Sequence, residues 1–534
     1  MKNKLFDKYI KKYLPVLLIL IILEILAIIT IGYLSVEQDS IFYIYLLGAL
    51  VIIVIIGILL KNINFSPILL IAFLPIGNMM IFIKPSTYKF SWIRLELIDI
   101  AILLVIFCIF FHKCVLKKEA TPFRKKLTPE YMIFFLIILV GYALISIVWT
   151  PEISMGLNQC VRLAFNFILY LLFIILLKNQ EDIIKAIKSI ILVSMLIAIT
   201  MLVSTFPFKK LIPTFPVGNT TKDYQITNEL DIHFNFPTYQ KKASGSIESH
   251  VGAVFLSFGI IFTIGLLYQS KKNKEKFLLF LITNLLFWTI LFTEARGPIA
   301  SMLLAITFLI VTLKNFRKKL FRNLFIFFGC VLLGFVIFSF INLPHINSIK
   351  SYFPHDESVR IQSERSLSDR FKYWQTGFNA LNVNDAFIQG LGISGSTYYL
   401  NPIIHSHSIY LSILFDFGLV IFLFILGMII YAIFKIFSVI KNLKNEYAKT
   451  LLISASGCII VLGFSSSVDF TYNLPILWFL LGISYAIYKN AVTLCTNDSE
   501  TPLRWSLKTG QYDKLRVNPK KGIDHEQETK TTHP

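Results

Sequence analysis

The sequence predicts an all-α protein, a polytopic bundle of about 12–14 membrane-crossing helices whose large outer loops carry short amphipathic helices. Three observations predict it. Apolar residues make up 55% of the 534 and charged residues 15%, against about 25% charged in a soluble domain, and the mean hydropathy is +0.69. One water-soluble core cannot hold that surplus, so the exterior must itself face lipid. Phe, Ile and Leu gather in blocks close to the length of about 20 residues that a helix needs to cross a bilayer, whereas barrel strands would be shorter and alternating. Lys and Arg concentrate on every second connection, as the positive-inside rule requires.

The elements follow in order. A basic start (Lys2, Lys4, Lys8, Lys11, Lys12) precedes the apolar run 14–34. No small-residue cleavage site ends that run, which predicts a retained first span rather than a signal peptide. Further candidate spans are 41–60, 66–83, 98–111, 131–149, 161–177 and 184–205. After a long loop come 251–268, 277–292, 298–313 and 324–341, and after a second long loop 411–434, 451–467 and 474–488. Pro75, Gly77 and Asn78 interrupt the third span and predict a broken or re-entrant segment. Residues 1–13 read as a cytoplasmic N-terminus, 14–490 as the membrane domain and the polar, lysine-rich stretch 491–534 as a disordered cytoplasmic tail. The six cysteines (Cys108, Cys114, Cys160, Cys330, Cys458, Cys495) have no paired spacing and predict neither a disulfide framework nor a zinc site.

The net charge of +20 reflects topology rather than nucleic-acid binding. With the N-terminus inside, 36 of the 51 Lys and Arg fall on inner segments and 15 on outer ones, placing both termini in the cytoplasm. Six of the 11 arginines fall outside: Arg94, Arg162, Arg296, Arg360, Arg365 and Arg370. Arginine presents a planar fork that binds phosphate oxygens in pairs, and ordinary loop ion pairs are the plainer reading. The outer loops 206–250 and 342–406 exceed the length at which loops without function are common.

Within the second loop, Ser366-x-x-Asp369 fits a capping box, and Leu367, Phe371, Trp374, Phe378 and Leu381 follow at helical spacing. Arg370 and Trp374 are four apart and share a face, where they can hold a diphosphate and stack a sugar ring; an interfacial helix anchored by Trp is the plainer alternative. Gly390-Leu391-Gly392 and Gly395 come next, a spacing that more often marks a turn than a phosphate cradle. His405-Ser406-His407-Ser408 then stands at the membrane boundary, where a titratable group is accessible. Asp416, nine residues beyond His407, falls on the opposite face of a straight helix and orients His407 only if that helix breaks near Gly418. Earlier, Thr293-Glu294-Ala295-Arg296-Gly297-Pro298 forms a very short outer hairpin, and Glu294 could simply neutralise Arg296.

Three of these elements together resemble the O-antigen ligase/polymerase family, which transfers glycans from polyprenyl diphosphate carriers. They are Thr293-x-x-Arg296-Gly297; Arg370-x-x-x-Trp374 followed by Gly390-x-Gly392; and His407-Ser-x-Tyr-Leu411-x-x-Leu414-x-Asp416-x-Gly418. The resemblance covers roughly residues 244–420. The chain has Ala295 where the family commonly has Ser, Ser408 where it has Asn, and Asp416 where it has Glu. The resemblance implies a GT-C-like membrane glycosyltransferase of the plasma (inner) membrane with its site on the outer face, independent of metal and cofactor. Arg296 and Arg370 would neutralise the departing diphosphate and His407 would contact or deprotonate the acceptor hydroxyl. Thr293, Trp374, Gly390, Gly392, His405, Asp416 and Arg162 would line the substrate. Its partners would be the polyprenyl-diphosphate-linked oligosaccharide (undecaprenyl diphosphate in a bacterial envelope), membrane lipid and other polysaccharide-assembly proteins, with no nucleic acid. The expected product is a surface polysaccharide such as a capsule, polymerised from repeat units; transfer of a finished glycan to a lipid or wall acceptor is the ligase alternative.

Two other readings compete. Glu229 and Asp231, with His233, could hold a divalent ion in a metal-dependent transferase. A transporter or flippase would carry ionisable groups inside its spans, and Glu24 is the one clearly deep acid.

Overall fold

The computed structural model describes residues 54–75, 80–81, 95–114, 131–205, 249–293, 295–313, 357–400, 406–467 and 474–500. The expected spans 14–34 and 324–341, Glu24, and the Glu229, Asp231 and His233 group lie outside them. The described helices, numbered in chain order, are α1 (Val54–Lys61), α2 (Ser66–Phe73), α3 (Leu97–Cys114), α4 (Tyr131–Ser146), α5 (Ile153–Leu176), α6 (Gln180–Thr205) and α7 (Ser249–Gln269). They continue with α8 (Asn273–Phe292), α9 (Arg296–Thr312), α10 (Glu357–Val383), α11 (Gly395–Leu400), α12 (Ile409–Asn442), α13 (Glu446–Ser466) and α14 (Pro475–Glu500). A two-residue antiparallel pair, Met80–Ile81 with Leu95–Glu96, is the strand structure among the described residues.

The protein is an all-α polytopic membrane protein. Seven described helices are long and apolar enough to cross a bilayer, and three shorter apolar ones accompany them. The expected span 66–83 is not one helix. α2 stops at Phe73, just before Pro75, and α1 meets it at a 115° bend, so the two make one broken or re-entrant unit. α14 runs to Glu500, past the expected start of the tail at 491, because no Gly or Pro stands between residue 491 and Pro502.

α7 is the central helix. Every residue from 251 to 265 is buried, as expected for a helix that is apolar on all sides. Its neighbours come close through small residues, the packing mode of membrane helices. Gly259 lies against Ser194 of α6, Gly265 against Ser454 of α13, and Gly457 of α13 against Ile261 and Leu309. α13 runs antiparallel to α7: at one end Gln269 Nε2 donates to the Glu446 carbonyl (2.9 Å) and to Thr450 Oγ1 (2.6 Å).

α12 is the unusual element. It has 34 residues but leaves helical geometry at Gly418 (φ 76°, ψ 178°). Tyr410 Oη donates to the Gly463 carbonyl at 3.0 Å. From the short connection 443–445, a straight α12 would rise about 48 Å to Tyr410, while α13 rises only about 26 Å to Gly463. The first part of α12 therefore turns at Gly418 instead of continuing the span. Burial changes at the same place. Residues 412–418 are all buried, whereas Val420, Leu423, Ile430 and Phe434 are exposed along the lipid-facing part.

Candidate functional site

The broken helix is held open by the loop after α10. Breaking a helix frees backbone groups that must be satisfied elsewhere. Here Leu391 N donates to the Phe415 carbonyl (2.8 Å), Gly392 N to the Asp416 carbonyl (3.0 Å), and Leu419 N to the Phe387 carbonyl (2.9 Å). Such a close crossing of two backbones leaves no room for Cβ atoms. Gly390 (φ 78°) and Gly392 (φ 85°) supply the left-handed conformation along with the clearance.

α4 and the turn that follows it secure the other side of this loop. Tyr142 Oη donates to the Gln389 carbonyl (2.7 Å), Ile393 N donates to Ser146 Oγ (3.0 Å), and Thr150 Oγ1 donates to the Ile393 carbonyl (2.8 Å). The amides of Gly390, Leu391, Gly392 and Ile393 are thus all used within the protein. The Gly-x-Gly element is the turn that the spacing more often marks, and those amides are not directed at a phosphate.

Asp416 is buried at 2% exposure, and its Oδ1 accepts from Ser396 N at 2.8 Å. Ser396 is the second residue of α11, so this carboxylate caps that helix, where negative charge is stabilised. The break at Gly418 comes after Asp416, and its carboxylate serves α11.

His407 sits just before α12 with φ 52°, a conformation that costs a non-glycine residue about 1–2 kcal/mol. Its surroundings impose that conformation. Ser406 Oγ donates to the Ser408 carbonyl (2.8 Å), lies 2.6 Å from Ser412 Oγ, and accepts from Ser408 N (3.3 Å). The Ser406 carbonyl accepts from Trp374 Nε1 at 2.8 Å. The ring of Tyr373 stacks on His407, with centroids 6.1 Å apart and planes 24° apart. His407 itself remains half-exposed. His405 lies outside the described residues.

α10 supplies those two rings. It begins at Glu357, so Ser366 and Asp369 lie inside the helix rather than at its cap. The residues before them (Glu357, Arg360, Gln362, Glu364) favour helix and include neither Gly nor Pro, so the helix propagates backwards through them. Its inward face is also rotated from the expected stripe. Gly377 packs on the ring of Phe415 and Leu381 is fully buried, while Phe371 and Phe378 stay exposed. Arg370 is half-buried one turn before Trp374. The sequence reading missed Tyr373, because a stacking partner for a histidine 34 residues away leaves no periodic signal.

The short hairpin joins α8 to α9. Thr293 is 1% exposed, and its Oγ1 donates to the Ile290 carbonyl (2.7 Å) and accepts from Ala295 N (3.3 Å). Thr293 therefore shapes the turn that presents Arg296, exposed, as the first residue of α9. Glu294 lies outside the described residues. Arg162 is the tenth residue of α5, half-exposed, about 14 Å along that helix from Ile153. It shares a polar face with Asn158 and Asn166 at four-residue spacing. Gly156, nearer the start of α5, packs on Ile393.

These pieces meet at one end of the bundle. Ser301, one and a half turns after Arg296, lies 2.8 Å from Ser465 at the end of α13. Tyr410, three residues after His407, bonds Gly463 on the same last turns. Trp374, one turn after Arg370, bonds Ser406. Among the described residues no cluster of three His, Cys, Asp or Glu side chains could hold a metal ion.

No curated protein matches this chain. Residues 281–426 match the family described as O-Antigen ligase. The matched segment runs from α8 through the Arg296 hairpin, α10 and the Gly390 loop to His407 and the Gly418 break, the pieces that converge at this end. The chain thus carries, in its second half, a segment that matches the O-antigen ligase family.

Proposed function

We propose that the protein polymerises polysaccharide repeat units on the outer face of the inner membrane, using a polyprenyl-diphosphate-linked saccharide as donor and a second lipid-linked unit as acceptor. The observation that supports this reading is the convergence of Arg296, Arg370 and the strained His407 turn at one end of the bundle. In the step proposed, the acceptor hydroxyl oxygen attacks the anomeric carbon of the donor sugar. The carbon–oxygen bond to the diphosphate breaks, and its electron pair leaves with the phosphate oxygen. His407 takes the hydroxyl proton as general base. Arg296 and Arg370 bind the diphosphate as its charge develops, with no divalent ion needed. Arg162, on the polar face of α5 just below the Gly392 loop, adds a third cation near the headgroup. Thr293, Trp374, Gly390, Gly392 and Asp416 act through the turns they hold.

Polymerase is preferred to ligase on the long outer segments, which suit a grip on a growing glycan. The test is to replace His407 with Ala, confirm membrane levels and size the lipid-linked glycan. Single repeat units are expected. A ladder of long chains still on the carrier would instead identify a ligase.

A further inference from the structure

We infer that Tyr373 and Trp374 are positioning residues for His407, and that α10 is a rigid spacer fixing the acceptor-side histidine relative to the diphosphate-side Arg370. The inference rests on the proposed role of His407 as general base. Two adjacent residues of one helix grip the histidine turn in different ways. Trp374 Nε1 donates to the Ser406 carbonyl at 2.8 Å, fixing the peptide immediately before His407. Tyr373 sets its ring beside the imidazole, near-parallel at 24° with centroids 6.1 Å apart, where it favours one plane of the imidazole. The turn does not hold this shape cheaply, since His407 is left-handed at φ 52° and a non-glycine residue stays there only where its surroundings over-determine it. The Ser406, Ser408 and Ser412 hydroxyl network holds the backbone from the α12 side, and α10 holds it from the other.

α10 is itself anchored. Gly377, one turn after Tyr373, packs directly on Phe415, and Phe378 meets the same ring edge-on at 5.2 Å. Arg370 precedes Tyr373 by three residues, about 4.5 Å along the axis. A helix pinned at Phe415 and clamped to the His407 turn therefore carries Arg370 at a fixed offset from the base. Trp374 contributes through its hydrogen bond, and its ring also meets Phe371 in a T-shaped contact with centroids 5.1 Å apart.

The experiment uses the full chain, purified in detergent, with polyprenyl-diphosphate-linked saccharide extracted from cells lacking the protein as the probe. Tyr373→Leu removes the ring, Tyr373→Phe keeps it, and Trp374→Phe removes the Nε1 donor. Both Tyr373→Leu and Trp374→Phe should lower kcat on the order of ten- to a hundredfold, the cost of displacing a reacting group by about 1 Å, with donor KM changed less than threefold. Tyr373→Phe should restore kcat to near the parent value. Unchanged kcat in both Tyr373→Leu and Trp374→Phe, while His407→Ala is inactive, would overturn the spacer and leave the base in place. Full activity of His407→Ala would overturn the base itself, and the spacer with it. Should Tyr373→Leu lose its folded, monodisperse state, Trp374→Phe decides alone: a loss seen mainly in donor KM would assign Trp374 to substrate contact and refute the positioning role.

Discussion

Gly390 and Gly418 pack backbone to backbone: a Cβ built on either glycine would lie 2.5 Å from the other's amide nitrogen. Both carry positive φ, 78° and 76°. This contact joins the loop after α10 to the break in α12, and it keeps His407 and Arg370 on one framework.

Alanine at Gly390 or Gly418 should therefore be severe. The left-handed backbone alone costs about 1–2 kcal/mol per site, and the clash forces the two backbones apart. Thermal unfolding of each variant in detergent should show a clear fall in Tm together with at least tenfold loss of glycan assembly. An unchanged Tm in both would mean that the crossing has slack that the geometry does not show.

Arg296→Lys and Arg370→Lys should each lose at least tenfold in activity although the charge is kept. A lysine places one point charge where arginine offers paired donors to phosphate oxygens. Complementation of a deletion strain, scored as surface glycan, is the measurement. Near-parent activity of a Lys variant would reduce that arginine to a point charge, and near-parent activity of the Ala variant would remove it from the site.

Asp416→Asn should be tolerated much better than Asp416→Ala. Asparagine retains an oxygen that can accept from Ser396 N, whereas alanine leaves a buried amide unpaired at a cost of about 1–3 kcal/mol. If Asp416 acted as an acid or base, Asn and Ala would be equally inactive, so comparing the two variants in the same assay separates the roles.

Activity should persist in excess chelator, because in the proposed step two arginines neutralise the diphosphate charge that a metal ion would otherwise neutralise. Purified protein assayed with EDTA, then with added magnesium or manganese, provides the check. Loss and rescue would favour the metal-dependent reading built on Glu229 and Asp231.

Single cysteines placed in the 314–322 connection should resist an impermeant thiol reagent on intact cells, and those in 342–406 should react. The motive is the 36-to-15 division of basic residues. Labelling of the first connection would invert the assigned topology.

Composition and apolar run length determined the membrane class, because burial in lipid is a bulk property that each residue reports independently. Motif order was equally legible: the Thr293–Arg296 hairpin, the Arg370–Trp374 helix and the His407–Gly418 segment stand in sequence, and the family match covers all three. The breaks in helices were only half legible. Gly418 stood out as a possible break, yet the chain alone cannot show that Leu391 and Gly392 replace the lost helical bonds, since those partners are more than 20 residues away. Likewise Ser366-x-x-Asp369 looks like a helix start, and favourable residues upstream carry α10 through it. The partners of Asp416 and Tyr373 belonged to tertiary structure entirely. The Asp416 carboxylate accepts from Ser396 N, and the Tyr373 ring lies beside His407. Such pairings are set by how helices cross in space, and no local pattern in the sequence encodes that.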